Sequence, residues 1–226
     1  MSAANHLRRR FVDAPDSLAE KFRARRWQQL ADAFPDINEM TIVDLGGTVD
    51  SWRRAPIRPK RVVVLSFEPD GADDVDWIES YYADACGLPT HLSDLRADLV
   101  YSNAVIEHVG GAERRQRFAD SVHLLADRHW IQTPYRYFPI EPHWLFPGFQ
   151  FLPVSARVAI SQRWGLVHTP NRDRQAALDN VLSVELIGLT EFRNLFPSSR
   201  VVNERAAGLI KSIIAVRSEA AWTKEA

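Results

Sequence analysis

The chain has 226 residues, a formal net charge of −1 and a single cysteine, Cys86, so we expect residues 1–226 to form one α/β-sized domain without a disulfide. The balanced charge excludes a global field that would recruit nucleic acid or an anionic membrane, and no apolar run reaches the length of a membrane span. We therefore expect a cytoplasmic protein that binds no nucleic acid and has no integral membrane segment, whereas its oligomeric state stays open.

The first predicted element is a helix over residues 3–34. Its apolar residues recur near a 3.6-residue period, Asp16 or Ser17 is a suitable N-cap, and Pro35 ends the helix. Arginines on its polar side favour a solvated face, packed on a sheet or lying over a pocket, rather than a nucleic acid patch. We interpret residues 1–36 as an N-terminal helical lid.

Residues 40–48 predict a buried strand that ends in Asp44 and turns at Gly46 and Gly47. Ligands of open α/β sheets bind beyond the carboxyl ends of the strands, where glycine lets backbone N–H groups approach the ligand. The glycines therefore predict a ligand-binding turn, although an ordinary turn that requires φ > 0 is the alternative. In the short segment that follows, we expect Trp52 to pack under this turn.

A second strand over residues 61–68 ends in Glu68, which lies 24 residues after Asp44. This separation is close to the roughly 20 residues between a glycine turn and the acid that binds a ribose diol. A carboxylate suits that task because it accepts two hydrogen bonds from vicinal hydroxyls. The alternative is a solvent-facing acid at the end of a strand.

An acidic helix is predicted over residues 73–82, followed by a third short strand that ends at Asp84. An aspartate beside small residues such as Ala85 can bind the exocyclic amine of a purine while the small residues let the ring lie flat. Asp84 could instead be only an N-cap.

Three elements follow in alternation: a strand over 98–103, a helix over 112–126 and a strand over 129–133. The helix is expected to direct its apolar residues inward and its arginines outward. Strands that alternate with helices at this spacing imply right-handed crossovers and a parallel sheet. Such a sheet places four residues on one edge: Gly46, Glu68, Asp84 and Asn103.

Residues 134–147 combine aromatics and prolines in a way that is typical of a stiff, ordered loop that covers something. We interpret residues 134–180 as an insertion that forms the wall of a substrate pocket. The predicted substrate-binding residues are Tyr135, Tyr137, Phe138 and Trp144. Glu141 and His143 flank Pro142, so their side chains diverge; either one faces the pocket while the other anchors the loop, or His143 makes only a structural hydrogen bond.

The remaining chain predicts a helix over 154–164, a polar insertion over 171–180 and a helix over 184–196. Strands over 200–204 and 212–217, joined through Gly208, complete the pattern as an antiparallel hairpin. The predicted fold is therefore α/β, with a seven-stranded, mostly parallel sheet flanked by helices and closed by an antiparallel C-terminal hairpin.

Four stretches, in this order, resemble a known family: residues 43–48, Asp84-Ala85 with Leu88-Pro89, residues 98–109, and residues 132–134 running into 138–143. The Ser-Asn-x-x-x-Glu-His-Val pattern within 98–109 is the most specific of them. With these stretches the chain resembles the class I S-adenosylmethionine (SAM)-dependent methyltransferases, in particular the bacterial type 11 group. The match spans residues 40–147 and extends through the closing helix and hairpin to about residue 217.

The resemblance implies a Rossmann-like fold and a set of cofactor contacts. Those at the amino-acid end of SAM would come from Asp44, Leu45, Gly46, Gly47 and Thr48. Glu68 would contact the ribose, Asp84 and Ala85 the adenine, and Ser102 and Asn103 the region of the sulfonium. The turn departs from the family's Gly-x-Gly-x-Gly, because the later glycines are missing. It matches a shortened Asp-Leu-Gly-Gly-Thr variant with a nearby tryptophan in bacterial members.

Methyl transfer requires an in-line arrangement of nucleophile, methyl carbon and sulfur, and a base if the acceptor is a hydroxyl. A histidine with a pKa near neutrality is the natural base. His143 is the first candidate and His108 the second, with a structural role as the alternative for His108; Glu141 completes the predicted catalytic set. No divalent-metal cluster stands out, so no metal ligand is assigned, whereas magnesium dependence stays open.

The sequence thus predicts a SAM-dependent methyltransferase that acts on a small molecule, with oxygen as the expected acceptor atom, and releases S-adenosylhomocysteine (SAH). A non-catalytic methyltransferase-like binding protein is the alternative, suggested by the lost glycines. A nicotinamide-dependent oxidoreductase is disfavoured, because the Gly-x-Gly-x-x-Gly spacing is missing.

Overall fold

The computed structural model describes residues 17–69, 75–92, 95–166 and 172–218. Its centre is a seven-stranded sheet made of β1 (Thr41–Leu45), β2 (Arg61–Ser66), β3 (Ile78–Tyr82), β4 (Leu99–Asn103), β5 (His129–Pro134), β8 (Arg200–Ala206) and β9 (Leu209–Arg217). The strands lie in the order β3-β2-β1-β4-β5-β9-β8. Strands β1 to β5 are parallel, whereas β9 runs antiparallel to both β5 and β8. The predicted fold class is confirmed.

Helices cover both faces of the sheet. Those on the sheet are α1 (Leu18–Ala33), α2 (Val49–Arg53), α3 (Ala112–Leu125) and α6 (Leu189–Leu195), whereas α4 (Val154–Ser161) and α5 (Arg174–Leu182) pack in a separate cluster. Alternate residues of the central strands point to opposite faces. Val43 therefore packs with Phe118 of α3 and Phe192 of α6, whereas Ile42 packs on the other face with Leu30 of α1 and Trp52 of α2.

The N-terminal helix begins after Ser17, whose side chain accepts a hydrogen bond from the Glu20 N–H at 3.2 Å. This confirms one of the two predicted N-caps, because a serine oxygen satisfies an N–H group that the first turn leaves free. The predicted start of the helix at residue 3 lies outside the described residues. Every described helix is too short or too polar to reach across a lipid bilayer.

The predicted acidic helix over 73–82 is wrong over its described part, because Ile78–Tyr82 is the strand β3. It pairs in parallel with β2, from Ile78 opposite Val62 to Tyr82 opposite Ser66. Pairing with a neighbouring strand outweighs the local helical pattern, and the aromatic residues of this segment suit an edge strand. Residues 73 and 74 lie outside the described residues.

Two later elements also differ from the prediction. The polar insertion contains α5, whose N-cap Asp173 accepts a hydrogen bond from the Ala176 N–H at 2.8 Å. The last predicted helix begins only at Leu189, since the Glu185 N–H donates to the Glu107 carbonyl and Ile187 bridges to Tyr135. The segment before Leu189 is therefore held extended beside β5.

The C-terminal hairpin is as predicted, with Gly208 in its turn at φ +81°. The predicted outward orientation of the arginines on α3 is wrong for Arg115, which is buried. Its guanidinium pairs at 2.6 Å with both Glu185 and Glu191. This ion pair joins α3 to the start of α6.

A second, two-stranded sheet projects after β5. It consists of β6 (Ile140–Glu141) and β7 (Phe146–Pro147), which pair antiparallel. With α4 and α5 it encloses a separate apolar cluster that contains Trp144, Phe149 and Val181. The predicted insertion therefore has a small core of its own.

Candidate active site

The carboxyl ends of four neighbouring strands define one rim of the sheet. Because β3, β2, β1 and β4 are adjacent and parallel, their ends lie along the same edge. This rim carries the four residues predicted to share an edge: Gly46, Glu68, Asp84 and Asn103. Their common placement is as the sequence predicted, whereas their contacts with a ligand stay predictions.

The glycine turn after β1 is shaped by close packing. Gly46 has φ +79°, and a Cβ there would lie 2.5 Å from Val105 Cγ1. A Cβ on Gly47 would lie 1.7 Å from Asp44 Oδ2. The next residue, Thr48, caps α2 by accepting the Ser51 N–H at 3.2 Å. Neighbouring protein atoms therefore leave no room for a Cβ at either position, so this turn needs two consecutive glycines.

Asp44 is buried at the end of β1. The Trp52 indole N–H donates to its Oδ2 at 2.7 Å, which confirms that Trp52 packs under the turn. Its Oδ1 is shielded from solvent and has no hydrogen-bond partner among the described residues. Burial raises the pKa of Asp44 to about 7, and the Trp52 hydrogen bond only partly opposes this shift.

The acids that follow β2 and β3 differ in their surroundings. Glu68 is exposed on the rim. Asp84 receives two hydrogen bonds of 2.9 Å from Arg114 and a third from the Cys86 N–H. No helix begins at Asp84, so the alternative of an N-cap is wrong. Ala85 is buried in the core cluster on one face of the sheet.

The end of β4 is tied both to β1 and to the N-terminal helix. The Ser102 hydroxyl donates to the Leu45 carbonyl at 2.8 Å, so it holds the two strand ends together. Asn103 Oδ1 accepts from Arg26 Nη1 at 2.6 Å, and Trp27 stacks on Tyr101 with ring centroids 5.6 Å apart. Helix α1 thus reaches the rim. Sequence reasoning missed the role of Arg26, since nothing in the local pattern links it to a residue 77 positions away.

Glu141 holds the predicted catalytic histidine in place. The Glu141 carboxylate is buried and accepts the backbone N–H groups of His143 and Trp144 at 2.7 and 2.8 Å. It also bonds His143 Nδ1 at 2.7 Å, so the expected divergence of these two side chains is wrong. Of the two residues that flank Pro142, Glu141 is therefore the anchor of the loop.

His143 faces His108, so the structure brings the two predicted catalytic histidines together. Their Nε2 atoms are 3.1 Å apart, and His108 Nδ1 lies 3.2 Å from the Ser183 carbonyl. His108 is exposed as a whole residue, but partial desolvation of its ring lowers its pKa, and the neighbouring His143 lowers it further. Burial also lowers the pKa of His143, but the hydrogen bond and charge of Glu141 outweigh it and raise that pKa overall.

Glu107 is a third member of this cluster, and the sequence prediction gave it no role. It is 1% exposed, and its Oε2 accepts from the Thr133 hydroxyl at 3.0 Å. Burial raises the pKa of its carboxyl group to about 7. One ligand-type atom each from Glu107, His108 and His143 lies within 4.8 Å of the others. The Glu-His pair of the Ser-Asn-x-x-x-Glu-His-Val pattern was the available signal.

The predicted substrate-binding aromatics do not share one environment. Tyr137 is 61% exposed and contacts Tyr135 edge-on, whereas Trp144 is buried and stacks on Phe149. Phe138 is half-buried. Trp144 lines a cavity of about 140 Å³ whose other lining residues are Arg136, Glu141, Phe149, Gln150, Arg157, Val184, Glu185 and Leu186. This volume is below the roughly 300 Å³ at which ligand pockets begin, so the cavity alone does not accommodate a drug-sized molecule.

Solved structures share this fold at low sequence identity. The magnesium protoporphyrin IX methyltransferase of Synechocystis PCC 6803, solved with bound SAH, aligns with a TM-score of 0.52 and 13% identity over 95% of this chain and 93% of its own. The N-methyltransferase NodS of Bradyrhizobium japonicum WM9 gives 0.51 and 14%, over 89% of this chain and 97% of its own. DhpI in complex with SAH gives 0.53 and 12%, over 94% and 92%.

These similarities establish a Rossmann-like, class I methyltransferase fold for the chain. No protein-family model matches the chain, and no curated protein matches it.

Proposed function

We propose that the protein is a SAM-dependent methyltransferase of the type 11 kind that methylates an oxygen atom of a small molecule and releases SAH. The observation that carries the proposal is the convergence of the glycine turn, Glu68, Asp84 and Asn103 on one rim of a class I methyltransferase sheet. Ligands of open α/β sheets bind outside the carboxyl ends of the strands. Structural neighbours that were solved with SAH support the same choice of cofactor.

The rim residues fit the parts of this cofactor. Asp44 has a carboxylate oxygen without a partner among the described residues, which suits an ammonium group nearby, and the exposed Glu68 can accept from ribose hydroxyls. A carboxylate offers about four lone-pair sites. Asp84 uses three of them for Arg114 and the Cys86 N–H, which leaves one for an adenine amine.

Other parts of the proposed site order the backbone and cover the rim. Leu45, Gly46, Gly47 and Thr48 would form the turn around the amino-acid end, and Ser102 and Asn103 would border the reacting region. When bound, SAM supplies an electrophilic methyl group on a sulfonium. Helix α1, through the contact of Arg26 with Asn103, would act as the lid that keeps water from this region.

The His108–His143 pair is the proposed place where the acceptor oxygen loses its proton or is stabilised as an anion. Glu141 is a positioning residue, because its buried carboxylate is occupied by the His143 ring and two backbone N–H groups. Tyr135, Tyr137 and Phe138, on the loop between β5 and β6, would contact the acceptor, and Trp144 would support the wall of the pocket.

Calorimetric titration with SAM, SAH and NAD tests the proposal. We expect SAM and SAH to bind and NAD not to bind; a protein that binds none of them would be a non-catalytic relative of the fold. Glu68→Ala should weaken SAM binding by about tenfold or more, since hydrogen bonds to a charged group contribute about 1.5–3 kcal/mol.

The matched control is Glu39→Ala, because Glu39 is exposed but lies just before β1, at the opposite edge of the sheet. It should bind SAM like the wild type. Equal affinities of the Glu68 and Glu39 variants for SAM would show that Glu68 does not contact the cofactor.

A further inference from the structure

We propose that Glu107, His108 and His143 bind a divalent first-row transition metal ion. Glu107 and His108 lie in the 3-10 turn Ile106–His108 after β4, and His143 lies between β6 and β7. The fold thus brings a carboxylate and two imidazoles from separate segments to within 4.8 Å of one another. The site is independent of SAM binding and goes beyond the function proposed above.

The hydrogen bonds of the two rings leave the Nε2 atom of each ring as its free nitrogen. A carbonyl oxygen can only accept, so His108 Nδ1, 3.2 Å from the Ser183 carbonyl, carries the proton. His143 Nδ1 donates to the Glu141 carboxylate for the same reason. Both Nε2 atoms are then left with lone pairs, and these atoms face each other at 3.1 Å. Two lone pairs at this distance repel unless a cation or an additional proton lies beside them.

The separation of the two Nε2 atoms suits two ligands of one ion. Imidazole nitrogens bound at about 2.0–2.1 Å to one ion lie about 3.3 Å apart at a tetrahedral angle and about 2.9 Å apart at a right angle. The observed 3.1 Å lies between these values. The rings also meet nearly edge to face, at 87°.

Glu107 supplies an independent indication of a ligand. Its Oε1 is shielded from solvent and has no hydrogen-bond partner among the described residues, whereas Thr133 holds Oε2. A buried carboxylate oxygen without a partner is costly, and buried polar atoms in proteins are almost always paired. A cation at the His108–His143 pair would satisfy it.

Each proposed ligand also has a partner that orients it. Glu141 bonds the far nitrogen of His143, the Ser183 carbonyl bonds that of His108, and Thr133 bonds Glu107. Carboxylates and carbonyls that bind the second nitrogen of a metal-ligating histidine are a regular feature of metal sites, because they fix the ring and its tautomer. His108 is exposed, which provides a path for an ion from solvent.

The donor set selects the class of ion. Two imidazoles and one carboxylate suit Zn²⁺, Co²⁺, Fe²⁺ or Mn²⁺, whereas Mg²⁺ and Ca²⁺ prefer sites made of oxygen atoms. Three protein ligands leave at least one position for water or for another oxygen ligand. If the proposed function holds, that ligand is the acceptor hydroxyl, whose pKa a bound ion would lower.

The test uses the full chain without an affinity tag, stripped with a chelator, and titrated with Co²⁺ in the absence of SAM. We expect one equivalent to bind, with visible absorption bands from the bound ion, and Zn²⁺ to displace it while excess Mg²⁺ does not. His143→Asn and Glu107→Gln should abolish these bands. Glu141→Gln should weaken binding by about 10–100-fold, as loss of an outer partner does.

His123→Asn is the matched control, because His123 is exposed on α3 and lies outside the cluster. It should bind Co²⁺ like the wild type, and thermal unfolding should show that each variant is folded. Wild-type protein without a Co²⁺ site, or a His143 variant with unchanged affinity, would overturn the proposal and indicate that a shared proton joins the rings. Titration of the same samples with SAM measures cofactor binding separately. A protein that binds SAM but no Co²⁺ would refute the metal site alone, and one that binds Co²⁺ but no SAM would refute the proposed function alone.

Discussion

Asp44→Asn tests whether burial at the end of β1 makes the ionised form of the Asp44 carboxyl group unfavourable. Burial raises the pKa of Asp44 from 3.8 to about 7, although the Trp52 indole donates a hydrogen bond to it. Asparagine has the same shape and retains an oxygen that can accept from Trp52. The substitution therefore removes the ionisation and leaves the packing of the turn in place.

The size and sign of the effect follow from the shift in pKa. About three pKa units at 1.36 kcal/mol each give about 4 kcal/mol. Between pH 3.8 and about 7 the folded protein holds this proton more tightly than the unfolded chain does. The free energy of unfolding therefore falls as the pH rises through this window and levels off above it. The neutral amide of the Asp44→Asn variant would carry no such penalty.

Urea unfolding at a series of pH values measures the difference. The stability of Asp44→Asn relative to wild type should increase by about 3 kcal/mol between pH 5 and pH 8. The wild type loses about 1.36 kcal/mol per pH unit over the roughly two units from pH 5 to about 7, and the difference levels off above that. Other titrating groups, including Glu107, are present in both proteins and cancel. Asp50→Asn, at an exposed acid in α2, is the matched control and should follow the wild type. A difference that does not change with pH would refute the reasoning.

Two further substitutions test contacts that position the site. Gly46→Ala should destabilise the protein by about 2–4 kcal/mol, because it combines a positive φ with a Cβ placed 2.5 Å from Val105. Gly208 has a similar φ of +81° but open space around it, so Gly208→Ala should cost only about 1 kcal/mol. Equal losses of stability for the two variants in urea unfolding would show that the contact with Val105 is not a clash. Arg115→Met should cost about 1–3 kcal/mol by the same measurement, since it removes two ionic hydrogen bonds from a buried guanidinium. Arg117→Met, which removes an exposed pair, should cost about 0–1 kcal/mol, and an equal effect of the two substitutions would show that burial of Arg115 does not matter.

The centre of the sheet could be predicted from local pattern. Residues 61–66 contain a continuous apolar run, which forms a strand wherever both of its faces are covered. The edge strand β3 could not be predicted in this way, because its residues are only partly buried and their conformation depends on pairing with β2. Acidic residues that suggested a helix precede a strand instead.

The candidate site likewise contains residues that could be predicted from the sequence and contacts that could not. The glycine turn, Glu68, Asp84 and Asn103 were predictable as a group, because each lies at or just after the end of a strand and parallel strands end at one edge. The contact of Arg26 with Asn103 was not predictable, since a helix face can be read from periodicity but its neighbour in the fold cannot.

The sequence by itself determined the alternation of strands and helices, the turn that requires glycine, and the presence of two histidines near the ends of β4 and β5. Only the tertiary structure decided that these histidines meet at 3.1 Å, that Glu141 anchors one of them, and that Glu107 lies beside them with an oxygen unpaired among the described residues. The physical reason is that secondary structure follows from neighbours along the chain. The direction and pairing of a polar side chain depend on groups that the fold brings from distant segments.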